Sequence, residues 1–171
     1  MTRAEAPARL LVVLCEPVVL STRASPAAVG SIATVNAATG ESRHLSTHID
    51  RSAQKVYDYA SNGLNLPEWA PGLACSAEEV DGRWIVDSPM GRAAVSFAPR
   101  NQFGVLDHHV TLVSGQSFYN PMRVIADGTG CEVVFTVRRQ PGMSAEDFER
   151  DARAVLRDLS RLKRLMERAD P

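Results

Sequence analysis

The chain lacks several of the patterns that would identify a particular chemistry. It has only three cysteines in 171 residues, an odd number at widely separated positions, which excludes a disulfide framework and a zinc knuckle. Lys and Arg number 19 against 20 Asp and Glu, so no excess of positive charge is available to hold a nucleic-acid backbone. Because free thiols are typical of a reducing compartment, we expect a cytoplasmic protein with no nucleic-acid partner.

Long apolar runs are also missing. The longest one near the N-terminus, residues 10–15, ends at Glu16 and Pro17, whereas a membrane-spanning helix needs about 20 apolar residues. Arg3 and Arg9 precede this run, as basic residues do in a signal peptide, but the Glu-Pro pair divides the apolar region. The sequence therefore predicts neither export nor association with a membrane.

The first part of the chain has little hydrophobic periodicity. Residues 21–42 are rich in Ala, Ser, Thr and Gly, and such a segment cannot bury enough surface to offset the entropy lost on ordering. We expect residues 1–42 to be a flexible extension, or a non-native one if the true translation start lies near Val35. The folded domain is expected over residues 43–171.

After residue 43 the pattern predicts a strand followed by two short helical elements. Leu45, Thr47 and Ile49 alternate with more polar residues, as on a half-buried strand. A short helix follows and is expected to stop at Asn62-Gly63. Two prolines in residues 64–72 limit the next segment to a helical turn and a loop.

The middle of the chain predicts an antiparallel meander of six strands. Asp81-Gly82, Ser114-Gly115 and Asp127-Gly128 are dipeptides typical of hairpin turns. The predicted strands cover residues 74–80, 83–90, 91–98, 104–113, 116–126 and 129–139. Short hairpin connections of this kind exclude a parallel array of strand–helix–strand units.

The last element is predicted to be a long amphipathic helix. Ser144 is placed to cap it, and Asp147 stands three residues later, where a capping-box acid is found. Apolar residues then recur at spacings of three and four, at Ala145, Phe148, Ala152, Val155, Leu159, Leu162 and Met166, with Leu156 and Leu165 widening the stripe. A helix of about 24 residues is about 36 Å long, enough to lie across a sheet and cover its core.

Three segments resemble the SRPBCC superfamily, the START-like and polyketide cyclase/dehydrase group. His48–Tyr57 (HIDRSAQKVY) is similar to the opening strand and first helix of that group, and Asn65–Pro71 (NLPEWAP) to its short second helix ending at Trp. Gly142–Phe148 is similar to the start of its last helix. The resemblance covers residues 43–168 and implies an α+β helix-grip fold. In this fold a curved antiparallel sheet of about seven strands wraps a long C-terminal helix, with two short helices after the first strand.

The same resemblance implies a cavity between the sheet and the C-terminal helix that binds a hydrophobic or aromatic small molecule. Acid–base chemistry of the cyclase or dehydratase type would be possible there. The alternative is a non-catalytic interaction module that modulates a partner protein, as the chaperone activators of the superfamily do. The matching motifs are structural and do not decide between an enzyme and a binding protein. We expect a monomer or a homodimer.

His108 is the candidate catalytic residue. It shares the predicted inward face of its strand with Leu106 and Val110, whereas Asp107 and His109 are expected to form an exposed pair on the other face. An imidazole on an apolar wall can hydrogen-bond a ligand carbonyl or phenol, or move a proton near neutral pH. The simpler interpretation is a buried histidine whose ring is satisfied by a neighbour.

Aromatic and polar side chains on the predicted inner surface are candidates for contacts with a ligand, since small-molecule cavities are mostly apolar with a few polar groups. Phe118, Asn120 and Met122 share one strand face, and Tyr119 and Arg123 share the other, unless a bulge at the intervening proline turns the arginine inward as an anion-binding group. The candidate ligand-binding residues are Tyr57, Trp69, Trp84, Phe97, His108, Phe118, Asn120, Met122 and Phe135. Plain core packing is the alternative for each.

No metal or cofactor is predicted. Adjacent His108 and His109 point to opposite faces, and His44 and His48 lie about 13 Å apart along an extended strand, too far for one ion. Gly-x-Ser-x-Gly, phosphate-loop and dinucleotide-binding patterns are absent from the sequence, and no cysteine has a histidine nearby in the sequence that would activate it.

Overall fold

A computed structural model describes residues 40–88 and 91–168, so the expected extension lies outside the described residues except for its last three. A 3₁₀ turn at Gly63–Asn65 leads directly into the second helix. The elements, in chain order, are β1 (Ser42–Ile49), α1 (Ala53–Ala60), α2 (Leu66–Trp69), β2 (Ser76–Val80), β3 (Arg83–Ser88), β4 (Gly91–Phe97), β5 (His108–Leu112), β6 (Ser117–Asn120), β7 (Met122–Asp127), β8 (Gly130–Arg138) and α3 (Ala145–Arg168). Of the helices in these ranges, none combines the length and the apolar character needed to cross a bilayer.

The strands form two antiparallel sheets, one with the order β2-β3-β4-β5-β6 and one with the order β1-β8-β7. The α+β class and the long C-terminal helix are confirmed. The strand count differs from the expected seven because Pro121 divides the strand predicted over residues 116–126 into β6 and β7. Proline has no N–H to give to a strand ladder, so β6 pairs with β5 whereas β7 pairs with β8.

The two sheets meet at this proline. The N–H of Leu106 donates to the carbonyl of Met122 at 2.9 Å, and the N–H of Val124 donates to the carbonyl of Gly104 at 2.9 Å. The segment before β5 therefore runs along β7. The bend does not invert the strand, because Met122 and Val124 are buried on the same face as Phe118. Consequently the inward turn of an arginine considered above does not occur.

Asp107 is not the exposed partner of His109 that the alternation predicts. It is buried, and its carboxylate accepts a hydrogen bond from the Met122 N–H at 2.8 Å. The same carboxylate accepts from the Tyr119 hydroxyl and pairs with the Arg123 guanidinium. Asp107 is buried because of the bend at Pro121: there the Met122 N–H donates to this carboxylate, where a regular strand would offer a main-chain carbonyl.

The cap predicted for α3 is formed. The Ser144 hydroxyl oxygen accepts from the Asp147 N–H at 3.0 Å, and the hydroxyl in turn donates to the Asp147 carboxylate at 2.6 Å. The inner face of the helix is buried at Phe148, Ala152, Val155, Leu159, Leu162 and Met166, as the spacing predicts. The expectation for Leu156 is wrong: it is 41% exposed, because it lies past the edge of the buried face.

Polar contacts fix α3 on both of its sides. On one side the helix reaches β1 and the residue that follows it: Glu149 pairs with Arg43, and Glu167 accepts from the Asp50 N–H at 2.9 Å. On the other side Arg161 donates to the main-chain carbonyl of Glu68 in α2. The helix is thus held between β1 and α2, with its apolar stripe facing the core.

Candidate functional site

The strand register places three candidate residues in one row across the five-stranded sheet. His108 lies opposite Phe97 of β4 on one side and opposite Asn120 of β6 on the other. The His108 ring is tilted against Phe97 with 5.2 Å between the ring centroids, and against Phe135 of β8 with 5.9 Å. The row therefore brings an imidazole and an amide next to two aromatic rings from different sheets.

His108 is buried and neutral. Its Nδ1–H donates to the Leu106 carbonyl at 3.0 Å, which leaves the lone pair on Nε2 as an acceptor. Burial lowers the pKa of the imidazole to about 4, and the neighbouring His109 contributes in the same direction. No described residue donates a hydrogen bond to Nε2. The histidine is satisfied at one nitrogen and can accept a hydroxyl or an N–H at the other.

Most of the other sequence candidates share this face of the sheets. Phe118 lies opposite Val110, and Met122 lies opposite Phe135, so both extend the surface around the imidazole. Trp84 lies at the β3 end of the same face and packs against Gly63, where a methyl group would collide with the indole. The candidates on this face are Trp84, Phe97, His108, Phe118, Asn120, Met122 and Phe135.

Tyr57 is buried in the same core but lies on α1, not on a strand. Its hydroxyl oxygen accepts from the Asn101 N–H at 2.9 Å, and the Arg100 guanidinium lies 5.7 Å from its ring centroid. These contacts fix the loop between β4 and β5 to α1. Tyr57 and the exposed Phe103 are both among the residues that line an open cleft of about 250 Å³.

Trp69 ends α2 and is buried. Its indole Nε1, a hydrogen-bond donor, has no partner in the described part of the chain. An unpaired buried donor costs free energy comparable to a lost hydrogen bond.

Two buried acids of α3 were not among the sequence candidates. Asp151 is 2% exposed and Asp158 is 9% exposed. The Oδ1 atom of Asp151 and the Oδ2 atom of Asp158 have no hydrogen-bond partner within the described ranges. Burial raises the pKa of each carboxyl to about 7, although Arg150 beside Asp151 and two arginines beside Asp158 act in the opposite direction.

The spacing of these acids places them on one side of the helix. Seven residues are close to two turns, about 10.5 Å along the axis. Both acids lie on the side of the apolar stripe that is away from β1, which is also the side on which Arg161 reaches α2. Asp158 therefore faces the interior between α3 and α2, and Asp151 lies two turns earlier on the same side of the helix. The seven-residue spacing, read together with the stripe at Phe148 and Val155, was the signal in the sequence that could have identified them.

No family model matches the chain, and no curated protein matches it. Solved structures do. The chain is similar to a START superfamily protein from Mycobacterium smegmatis, with 11% identity, a TM-score of 0.57, and 77% of this chain and 100% of that chain covered. The chain is also similar to protein MLL2253 from Mesorhizobium loti, with 11% identity and a TM-score of 0.61, and the match covers 77% of this chain and 100% of that chain.

A third similar structure is the di-domain ARO/CYC BexL from the BE-7585A biosynthetic pathway, with 14% identity and a TM-score of 0.60. The match covers 72% of this chain and 45% of that chain. At these identities the likeness concerns the fold. The chain therefore has the START-like helix-grip fold that the resemblance in its sequence implied.

Proposed function

We propose that the domain binds a hydrophobic or aromatic small molecule between its sheets and α3. The fold supports this proposal because its solved neighbours include a START superfamily protein and an ARO/CYC protein. The observation that carries it is the state of His108, a buried neutral imidazole with a free acceptor at Nε2 beside Phe97 and Phe135. A ligand ring can stack on this surface while its hydroxyl or N–H donates to the imidazole.

Binding is a better match to His108 than acid–base turnover. With a pKa of about 4, only about one molecule in a thousand carries an imidazolium at neutral pH, so there is little protonated form to act as a general acid. A catalytic proton carrier is tuned close to the working pH. We therefore assign to His108 the role of hydrogen-bond acceptor for the polar end of the ligand.

The affinity for a phenol is expected to depend on His108. In wild type, titration with N-phenyl-1-naphthylamine should give a saturable rise in fluorescence, and 1-naphthol should displace this probe more effectively than 1-methylnaphthalene. His108→Leu should weaken the binding of 1-naphthol by roughly 1–3 kcal/mol, the cost of leaving its hydroxyl unpaired. The affinity for 1-methylnaphthalene should be nearly unchanged. Circular dichroism checks that the variant is folded.

The adjacent histidine gives the matched control. His109 is exposed and its ring is tilted against Tyr119 with 5.1 Å between the ring centroids, so His109→Leu should leave both affinities unchanged. Absence of saturable probe binding in wild type would refute the proposed function. Equal affinity of the wild type and the His108 variant for 1-naphthol would refute the role of the imidazole.

A further inference from the structure

Three buried polar atoms of α2 and α3 have no hydrogen-bond partner among the described residues. They are Nε1 of Trp69, Oδ1 of Asp151 and Oδ2 of Asp158. All three side chains belong to residues that are at least nine-tenths buried. Folded proteins leave few such groups unpaired, and each requires a physical explanation.

The two helices place Trp69 and Asp158 on facing elements. Trp69 is the last residue of α2, and the carbonyl of the preceding Glu68 is bound by Arg161, which lies about one turn after Asp158 in α3. Asp151 lies two turns earlier on the same side of the helix. A donor and an acceptor without partners therefore border the same interior region.

The cations of the described chain do not neutralise these acids. Neither acid takes part in an ion pair there. The nearest positive charges on α3 are Arg150, which pairs with Asp147, Arg161, which binds α2, and Arg157, which acts on Asp158 through its charge without forming an ion pair with it.

The charged groups of the elements packed on α3 are occupied as well. Glu68 of α2 accepts from the Tyr59 hydroxyl at 2.8 Å, and Arg43 of β1 pairs with Glu149. Arg138 of β8 lies 5.9 Å from the centroid of the exposed Tyr119 ring. The buried acids are left without a counter-charge from these neighbours.

We propose that this interior region receives the amino group of a ligand, an ammonium carried on an apolar or aromatic skeleton, with the free oxygen of Asp158 as its main acceptor. The inference rests on the proposed function and specifies the chemical class of the ligand. An ammonium supplies a donor and the missing positive charge, whereas a hydroxyl supplies a donor and an acceptor but no charge to balance the carboxylates. Protonation of the acid alone removes the charge but leaves an unpaired O–H in an apolar interior.

The test compares ligands that differ only in the polar group. In displacement of N-phenyl-1-naphthylamine at about pH 8, an aliphatic amine is protonated, and carboxyls with a pKa of about 7 are largely ionised. We expect 1-naphthylmethylamine to bind at least about tenfold more tightly than 1-naphthalenemethanol, as a charge-assisted hydrogen bond does relative to a neutral one. Asp158→Asn, which keeps the shape of the side chain, should abolish this preference and leave the affinity for the alcohol within about twofold.

Glu146→Gln is the matched control, because Glu146 is an exposed acid on the same helix, and its variant should keep the full preference for the amine. Equal binding of amine and alcohol by wild type would overturn the inference. A preference that survives in Asp158→Asn would also overturn it, whether or not Asp151→Asn removes the preference. Failure of the inference is distinguishable from failure of the proposed function, since in the latter case the neutral probe itself does not bind.

Discussion

Leu159→Ala is expected to lower the free energy of unfolding by about 2–5 kcal/mol. Leu159 is 1% exposed and lies at the middle of the buried stripe of α3. The change removes buried methyl groups and leaves a cavity that the two sheets, linked by hydrogen bonds, can fill only in part. Urea denaturation followed by circular dichroism measures the loss, with an unchanged dependence on denaturant concentration indicating that the compactness of the two states is preserved.

The helix offers its own control for this substitution. Leu156 is the same residue type one turn away and is 41% exposed, so Leu156→Ala should cost less than about 1 kcal/mol. Arg157→Ala, also exposed, should cost less than about 0.5 kcal/mol. Equal losses in Leu159→Ala and Leu156→Ala would show that α3 presents a different face to the core.

The parts of the fold that follow from local patterns were predictable. The spacing of three and four from Phe148 to Met166 and the Ser144 cap locate α3, because both depend only on residues within one helical element. The inward direction of His108 likewise follows from the two-residue period of a strand. These features need no knowledge of which segments become neighbours in the fold.

The strand break was not predictable in the same way. Pro121 lies inside a run of alternating residues, and whether such a residue makes a bulge or separates two strands depends on what satisfies the adjacent Met122 N–H. Here the acceptor is Asp107, fourteen residues before the proline in the sequence. The alternation along the strand assigns that aspartate to an exposed face. Its burial depends instead on tertiary contacts with Tyr119 and Arg123, which a local pattern does not show.

The candidate site was predicted in part. The period of the strands places Phe97, His108 and Asn120 on inner faces, but the contact with Phe135 depends on the way the second sheet joins the first. Asp151 and Asp158 were not predicted as site residues, because an aspartate in an amphipathic helix is ordinarily assigned to the solvent-exposed face. Their burial is a result of tertiary packing, which on this side of α3 includes the contact of Arg161 with α2.

Asp158→Asn is expected to become progressively more stable than wild type as the pH rises from about 5 to about 8. The carboxyl of Asp158 has a pKa raised from 3.8 to about 7, so between these values the folded state holds a proton that the unfolded state releases. Stability then falls as the pH rises. Asparagine has no proton to lose. Each unit of pKa corresponds to 1.36 kcal/mol, and about two units of the shift lie above pH 5, so the relative gain over this pH range reaches at most roughly 3 kcal/mol.

Asp151→Asn should behave in the same way, since burial also raises the pKa of the Asp151 carboxyl to about 7. The measurement is the free energy of unfolding in urea at several pH values between about 5 and 8. Glu146→Gln, at an exposed position of the same helix, should give a curve parallel to that of wild type. A parallel curve for Asp158→Asn would show that the buried carboxyl is not held protonated in the folded domain.

His108 provides a test of opposite sign in the same experiment. Its pKa is lowered from 6.5 to about 4, so between these values the unfolded state binds a proton that the folded state does not. Stability therefore rises with pH in that window and is constant above it. In wild type this contribution partly offsets the decline caused by the two acids. His108→Leu removes the offset, and its stability should fall more steeply than that of wild type between about pH 5 and 6.5. An unchanged slope would mean that folding does not lower the pKa of His108, and the imidazole would then be charged inside the fold below about pH 6.5.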